Sequence, residues 1–406
     1  MFFKRLFLAA FAVMALACTS HPREGIRRAS PDSEGMDPHH LALIDSAVNV
    51  SIGLGEIPGA VVGVVRGGVL VYEKAFGKRQ TVPVEEPMQV EYLFDLASLS
   101  KCVSTTVAVM QLVEQGKVRL VDPVRNYIPG FRPWVSPDGE QVEITVQHLL
   151  THSSGLDAYV PDMEAYLSEF GPGTPEDLLQ FIATRSGRNF RPGTRALYSC
   201  LNFVTLQHIV QRVTGESLSD YAQHHIFDVL GLRHTTYFPL DGGPVKPELA
   251  ALCVPTEVQE DGLPLKAQVH DPIARIINRG NSGNAGVFSN VEDLAVIAAA
   301  LLDGGAWNGR RILSPHSVRK MFEMPYPGVP RALGWDTYRE APYTSGDLFE
   351  TENLRGHTGY TGTSLILDPD TSVAVILLTN RVHPVDTGSV SRLRGVVANI
   401  VAGAIL

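Results

Sequence analysis

Two stretches, one near each end of the chain, have the hydrophobic pattern of β-hairpins. Residues 60–65 (AVVGVV) and 69–72 (VLVY) flank a Gly-Gly turn, and residues 363–368 (TSLILD) and 373–378 (VAVILL) flank a Pro-Asp turn. Short runs that are rich in β-branched residues and bounded by turn residues predict paired strands. The sequence therefore predicts a hairpin near each end.

Most of the remaining hydrophobic positions recur at the three- and four-residue spacing of amphipathic helices. This spacing predicts helices at 36–52, 175–185, 200–213, 217–229, 291–303 and 388–405. Strands at both ends with helices between them predict one sheet that is built from the terminal parts, about 33–100 and 286–405. The mostly helical part, about 101–285, is then an insertion, and the fold class is α+β.

The first 18 residues differ from the rest of the chain. A positively charged start precedes an apolar run at 6–17, which is too short to span a bilayer. The run ends in the small-residue cleavage pattern Ala15-Leu16-Ala17, so we expect a secretory signal peptide over 1–18. Cys18 directly after this run is typical of a bacterial lipoprotein site, and we favour a periplasmic lipoprotein over free release.

A polar segment with two prolines, 19–32, is predicted to be a linker to a single domain over 33–405. The chain has 406 residues, 44% of them hydrophobic, and a formal net charge of -9. It can bury a large core, and it has no long basic stretch that would indicate a nucleic-acid partner. We expect the membrane to be a partner only through the N-terminal lipid.

Metal and cofactor sites are not indicated by the sequence. Beyond Cys18 there are three cysteines, so at least one stays unpaired within the chain, and no Cys-x-x-Cys occurs. His148 and His152 are four residues apart, but the Glu of the zinc pattern His-Glu-x-x-His is missing. No nucleotide-binding glycine motif occurs either. We expect neither metal nor cofactor.

Candidate chemistry begins at Ser98-x-x-Lys101, which precedes a helix-like apolar run. A lysine one turn after a serine lies on the same helix face. A serine hydroxyl needs an adjacent base to act as a nucleophile, and an amine can be that base if burial lowers its pKa. The pattern alone is weak, because Ser317-x-x-Lys320 matches it as well.

Two further motifs follow in a fixed order, Tyr198-Ser-Cys200 and His357-Thr-Gly359. Ser-x-x-Lys, a polar triplet and Lys-Thr-Gly are the signature of serine β-lactamases and penicillin-binding proteins. The chain thus resembles the serine β-lactamase-like family, closest to class C β-lactamases, DD-carboxypeptidases and related esterases. Further stretches that carry the resemblance are 148–156, 190–193, 213–217, 286–289, 292–294 and 356–364, so the resemblance extends over roughly 33–405.

The resemblance implies an antiparallel sheet flanked by helices, a helical subdomain, and a site in the cleft between them. It implies Ser98 as the nucleophile, with Lys101 and Tyr198 sharing the role of base. Thr358 would offer a hydroxyl to a substrate carboxylate, and Gly359 would let the backbone approach the substrate closely. The N–H groups of Ser98 and Tyr360 would form the oxyanion hole.

Two positions depart from the family pattern. Cys200 stands where an Asn usually supports the lysine and binds the substrate amide, and a thiol is a weak hydrogen-bonding group. Nearby Asn202 is offset by two positions. His357 stands where β-lactamases usually carry Lys, whereas some DD-carboxypeptidases and esterases carry His. These differences favour an esterase or a DD-carboxypeptidase over a dedicated β-lactamase.

The sequence therefore predicts a secreted serine acyl hydrolase that works through an acyl-serine intermediate. Its substrate would be an ester, a D-Ala-D-Ala peptide derived from peptidoglycan, or a β-lactam. The alternative is a non-catalytic binding or scaffold protein that keeps the fold, which Cys200 would favour and the intact Ser98, Lys101 and Tyr198 oppose.

Overall fold

The structure is a computed structural model that describes residues 25–171, 173–241, 247–337, 342–349 and 352–406. The predicted signal peptide and Cys18 lie outside the described residues. No helix in these described ranges is long and apolar enough to cross a membrane.

A seven-stranded antiparallel sheet is the framework of the fold, with the strand order β11-β12-β13-β14-β1-β2-β3. The strands are β1 (Gly59–Arg66), β2 (Val69–Gln80), β3 (Glu86–Pro87), β4 (Phe94–Asp95), β5 (Trp134–Val135), β6 (Gln141–Val142), β7 (Thr236–Tyr237), β8 (Val287–Ser289), β9 (Ala306–Trp307), β10 (Arg310–Arg311), β11 (Asp336–Thr337), β12 (Arg355–Thr358), β13 (Ser364–Asp368) and β14 (Val373–Thr379). Both predicted hairpins are present, and β1 pairs with β14 with Gly63 opposite Ile376. The predicted fold class is confirmed.

Helices are present in every region where the hydrophobic spacing predicts one, and further short helices lie between these regions. They are α1 (Pro38–Leu41), α2 (Leu43–Gly53), α3 (Thr106–Glu114), α4 (Val146–Leu150), α5 (Met163–Phe170), α6 (Pro175–Thr184), α7 (Cys200–Thr214), α8 (Leu218–Ala222), α9 (Asp228–Leu230), α10 (Pro247–Leu252), α11 (Val291–Leu302), α12 (Pro315–Phe322), α13 (Pro342–Ser345) and α14 (Ser391–Gly403). Side-chain caps fix several starts, such as Thr174 and Asn290, each of which accepts a hydrogen bond from the N–H three residues on.

Both faces of the sheet are buried, because helices pack on each of them. Successive side chains of a strand point to opposite faces and so belong to different cores. In β1, Val61 and Val65 belong to the large core shared with α3, α7 and α11, whereas Val62 and Val64 belong to a second core with α2 and α14. Gly63 lets α11 approach closely, since a Cβ there would lie 2.3 Å from a Val291 methyl carbon. The sheet is thus packed between two layers of helices, one on each face.

The segment before the domain differs from the linker predicted over 19–32. Residues 25–32 pack against the sheet: Ile26 is buried, and Arg28 forms a parallel bridge with Leu70. The Arg28 guanidinium also pairs with Glu73 and Glu292. The polar, proline-bearing composition of this segment does not predict the contact, because the contact depends on one buried apolar side chain, Ile26, and on the ion pairs of Arg28.

Candidate active site

A strained turn positions Ser98 directly after β4. Ala97, the residue before it, has a left-handed φ of 46°, and the buried Asp95 carboxylate accepts a hydrogen bond from its N–H at 2.8 Å. Non-glycine residues adopt this conformation only when their surroundings impose it. Ser98 is half-buried, and a π-helical turn over Lys101–Thr105 leads from it into α3. This agrees with the predicted position of Ser98 near a helix start.

Lys101 is fully buried and directed at the serine. Its Nζ lies 2.8 Å from Ser98 Oγ, 2.7 Å from the carbonyl oxygen of Asn284 and 3.6 Å from Cys200 Sγ. An ammonium has three N–H donors and no acceptor. These three neighbours therefore suit a protonated Lys101 in the resting state, and after loss of one proton the amine lone pair can face Ser98.

A neutral Lys101 amine could be the base if burial lowered its pKa, but in the structure this pKa is shifted the other way. Burial does lower its pKa, but attraction to Cys200, Tyr198 and Asp271 outweighs burial, so the pKa lies above the ordinary value. A buried cation is held by nearby groups that can carry negative charge. Lys101 and Tyr198 therefore form a coupled pair rather than a preformed free amine.

Tyr198 lies immediately before α7, with its hydroxyl buried beside Lys101 and Ser98 but not aligned for a full hydrogen bond. Its ring lies 5.0 Å from Lys101 Nζ. Burial raises the Tyr198 pKa to about 12, although Lys101 and Ser98 oppose the rise. The structure thus brings together Ser98, Lys101 and Tyr198, which are far apart in the sequence.

Cys200 begins α7 and contacts Lys101 only through its sulfur. Burial raises the pKa of the thiol, and attraction of the thiolate to Lys101 partly opposes this rise. Asn202 does not replace the usual amide: its side chain accepts a hydrogen bond from Ser154 Oγ at 2.6 Å and lies 3.2 Å from His152 Nδ1. The three cysteines of the described ranges are free thiols.

The turn after β12 is hydrogen-bonded to the backbone just before Ser98. Thr361 Oγ1 and Thr363 Oγ1 donate hydrogen bonds to the carbonyl oxygens of Asp95, at 2.7 Å, and Leu96, at 3.0 Å. A Cβ on Gly359 would lie 2.4 Å from that same Leu96 oxygen. Only glycine fits here, so the sequence motif is explained by close approach of two backbones.

Two backbone N–H groups are available beside the serine. Within the described ranges, neither the Ser98 N–H nor the Tyr360 N–H donates a hydrogen bond to a protein acceptor. Unused N–H groups at such a turn can stabilise a developing oxyanion. Thr358 and the half-exposed Tyr360 lie on the wall of the same cleft.

The cleft has a volume of about 500 Å³ and contains several arginines. It is lined by Ser98, Tyr198, Arg331, Asp336, His357, Thr358, Gly359, Tyr360, Arg381, Gly388, Ser389, Val390, Ser391 and Arg394. The position of His357 agrees with the motif, but its ring is buried, and burial lowers its pKa to about 4, so it is neutral. It therefore does not supply the charge of the lysine usual in β-lactamases.

The two histidines that suggested a zinc pattern have separate structural roles. His148 Nδ1 accepts from the N–H of Thr145, the residue that caps the start of α4, and its ring stacks on Tyr326 at 5.4 Å. His152 Nδ1 accepts from the N–H of Ser199 at 3.0 Å. No cluster of metal-ligating side chains occurs in the part of the chain that the structure describes.

Two contacts in the site were not predicted from the sequence. Arg331 and Asp336 form a buried ion pair at 2.7 Å beside Tyr198, and Asn284 supplies a carbonyl oxygen to Lys101. The second pattern match, Ser317 with Lys320, lies on α12, where Lys320 is exposed and pairs with Glu323. Only burial and long-range packing separate the two matches.

Comparisons with known proteins agree with this geometry. The family model described as Beta-lactamase matches residues 47–399. The chain is 29% identical over 400 residues to the Escherichia coli K12 protein named "Putative D-alanyl-D-alanine carboxypeptidase", covering 93% of this chain and 90% of that protein. It is 31% identical over 371 residues to the N-acetylmuramyl-L-alanine amidase of Bacillus subtilis, covering 84% and 81%.

Among solved structures, EstCE1, a hydrolase with promiscuous acyltransferase activity, superimposes with a TM-score of 0.71 at 24% identity, covering 90% of this chain and 99% of that one. The fold and the Ser–Lys–Tyr cleft agree with a serine hydrolase related to the β-lactamases. The chain belongs to the β-lactamase family.

Proposed function

We propose that the chain is a secreted acyl hydrolase that forms an acyl-enzyme intermediate on Ser98. The observation that supports this most directly is the 2.8 Å contact between Lys101 Nζ and Ser98 Oγ in a cleft that has two unused backbone N–H groups. A nucleophile, a base and an oxyanion site in one cleft are the parts that acyl transfer requires.

The proposed reaction has two steps. Ser98 Oγ attacks the substrate carbonyl carbon, its proton passes to the Lys101–Tyr198 pair, and the N–H groups of Ser98 and Tyr360 stabilise the oxyanion. The C–O or C–N bond then breaks, and the leaving alcohol or amine takes the proton from the pair. Water attacks the acyl-Ser98 carbonyl by the same route and releases the acid.

We propose short esters as the better substrates and peptidoglycan-derived amides as the poorer ones. The relatives named as a carboxypeptidase and an amidase support small cell-wall fragments as the substrate class. Cys200 supports the preference for esters, because a sulfur 3.6 Å from Lys101 Nζ replaces a side chain that would bind a substrate amide. Thr358 and the arginines of the cleft would bind a substrate carboxylate.

We further propose that the protein acts in the periplasm and that Cys18 is lipidated. The short apolar run before Cys18 supports this, as do relatives whose names refer to cell-wall substrates. Globomycin sensitivity of processing and palmitate labelling that is lost in Cys18→Ala would support the anchor. Full release of the mature protein from membranes would contradict it.

Intact-mass spectrometry after exposure to a fluorophosphonate tests the acyl-enzyme proposal. We expect a single adduct on the wild type and none on Ser98→Ala, with unchanged thermal unfolding. Ser317→Ala is the matched control, because it removes the serine of the second Ser-x-x-Lys match, and it should label as the wild type does. Wild-type protein that gives no adduct and hydrolyses no ester would contradict the proposal and favour a non-catalytic binding protein.

A further inference from the structure

A tight turn between β11 and the segment before it places two opposite charges in the cleft. Arg331 and Asp336 face each other across an antiparallel bridge, and the Ala332 N–H donates to the Trp335 carbonyl. Gly334 at the tip has a φ of 78° and donates its N–H to Leu150. Such a closed turn fixes the direction of both charged side chains.

The turn is packed against the helix that follows Lys101. A Cβ on Gly334 would lie 1.9 Å from Thr106 Oγ1, and Thr106 begins α3. Trp335 is fully buried and packs edge-on against Phe322. The Arg331–Asp336 pair is therefore held rigidly relative to Lys101, with about 6% and 8% of the two side chains exposed.

The guanidinium of Arg331 lies over the ring of Tyr198. Its carbon is 5.3 Å from the ring centroid, and the His152 ring lies 4.4 Å from the same centroid, at an interplanar angle of 32°. A cation within about 6 Å of an aromatic face is attracted to the ring, more strongly when water is excluded. Tyr198 is therefore held by a permanent charge in addition to the titratable Lys101.

We propose that Arg331 is a positioning residue for the proposed reaction, which orients Tyr198 and favours its phenolate form while Ser98 loses its proton. The inference rests on the proposed function. Asp336 is the counter-ion that lets a guanidinium remain buried at this place, since an unpaired buried charge is strongly unfavourable. Arg331 cannot lose its charge in the working pH range, whereas Lys101 can.

Other charged and titratable groups around Tyr198 do not duplicate this role. Lys101 is the proton partner, Cys200 is a thiol of raised pKa, and His152 and His357 are neutral, with lowered pKa values to which Arg331 itself contributes. The groups that face the ring or its hydroxyl are Ser98, Lys101, His152, Cys200, Arg331 and His357, with Asp336 behind Arg331.

The test measures the rate of fluorophosphonate labelling of Ser98 between pH 6 and 10 in Arg331→Gln, Arg331→Lys and the charge-neutral double variant Arg331→Gln/Asp336→Asn. We expect Arg331→Gln to move the rising limb about one pH unit to the alkaline side, which is about tenfold slower labelling at pH 7. Arg331→Lys should recover most of this shift, because it restores the cation.

The double variant separates an electrostatic role from a structural one, because it leaves no unpaired buried charge. It should keep the alkaline shift, and it carries the test if the single variant does not fold. Lys320→Gln, which removes an exposed cation of α12, is the matched control and should keep the wild-type limb. A wild-type limb in the double variant would overturn the inference about Arg331 alone, whereas an unlabelled wild type would overturn the proposed function.

Discussion

Replacing Cys200 by Asn should change which bonds the enzyme can break. The sulfur lies 3.6 Å from Lys101 Nζ, the long separation expected for a weak sulfur acceptor. An Asn carboxamide could reach both Lys101 and a substrate amide. One added hydrogen bond to a substrate group contributes about 0.5–1.5 kcal/mol, which is up to about tenfold in rate.

We therefore expect Cys200→Asn to raise kcat/KM for a D-Ala-D-Ala peptide or nitrocefin by about three- to tenfold relative to its effect on a short p-nitrophenyl ester. Esters lack the amide N–H and have a better leaving group, so they gain less. Cys200→Ser is the control, since it changes polarity at nearly constant size without supplying a carboxamide. The reasoning is refuted if Cys200→Asn leaves the amide-to-ester ratio at the wild-type value.

Three further outcomes follow from the site. The pKa of Lys101 is raised and that of Tyr198 is raised to about 12, so the basic form of the pair becomes more populated as pH rises. The kcat/KM for an ester, corrected for spontaneous hydrolysis, should therefore still increase above pH 8. A plateau that is reached at pH 7 would contradict this prediction. Gly359→Ala should lower Tm by several degrees and ester hydrolysis by more than tenfold, because its Cβ would meet the Leu96 carbonyl. Gly53→Ala is the control: a Cβ on Gly53 would meet no atom within 4 Å, so this variant should alter neither quantity. Reductant should leave ester activity unchanged, since Cys200 is a free thiol, and activation by dithiothreitol would indicate a disulfide.

The local sequence pattern was sufficient to predict the helices and strands whose own residues specify them. The hairpin of β1 and β2 follows from β-branched residues on either side of Gly67 and Gly68, and α6 follows from the apolar spacing over 175–185. The order of the three motifs indicated the cleft. These features depend on residues that are neighbours in the sequence or on motifs with known roles.

Features that depend on distant packing could not be predicted in this way. The sequence does not show that Asn202 turns toward His152 and away from Lys101, because its direction depends on the α4–α7 contact. The raised pKa of Lys101 depends on groups from two other segments, Tyr198 with Cys200 in one and Asp271 in the other. The Arg331–Asp336 pair depends on a turn whose register is fixed by contact with Thr106.

The pairing of β1 with β14 has a consequence for biosynthesis. Ala60 lies opposite Thr379, so one edge of β1 stays unpaired until nearly the whole chain has been synthesised, although its other edge pairs with β2. Pairing between such distant segments is slow, and an unpaired apolar strand edge invites aggregation. A product that stops before residue 373 would lack β14 and expose the edge of β1. Premature termination near the C-terminus should therefore yield insoluble protein rather than a shortened enzyme. If the chain is secreted unfolded, as we propose, the late synthesis of β14 would also keep it from folding before export.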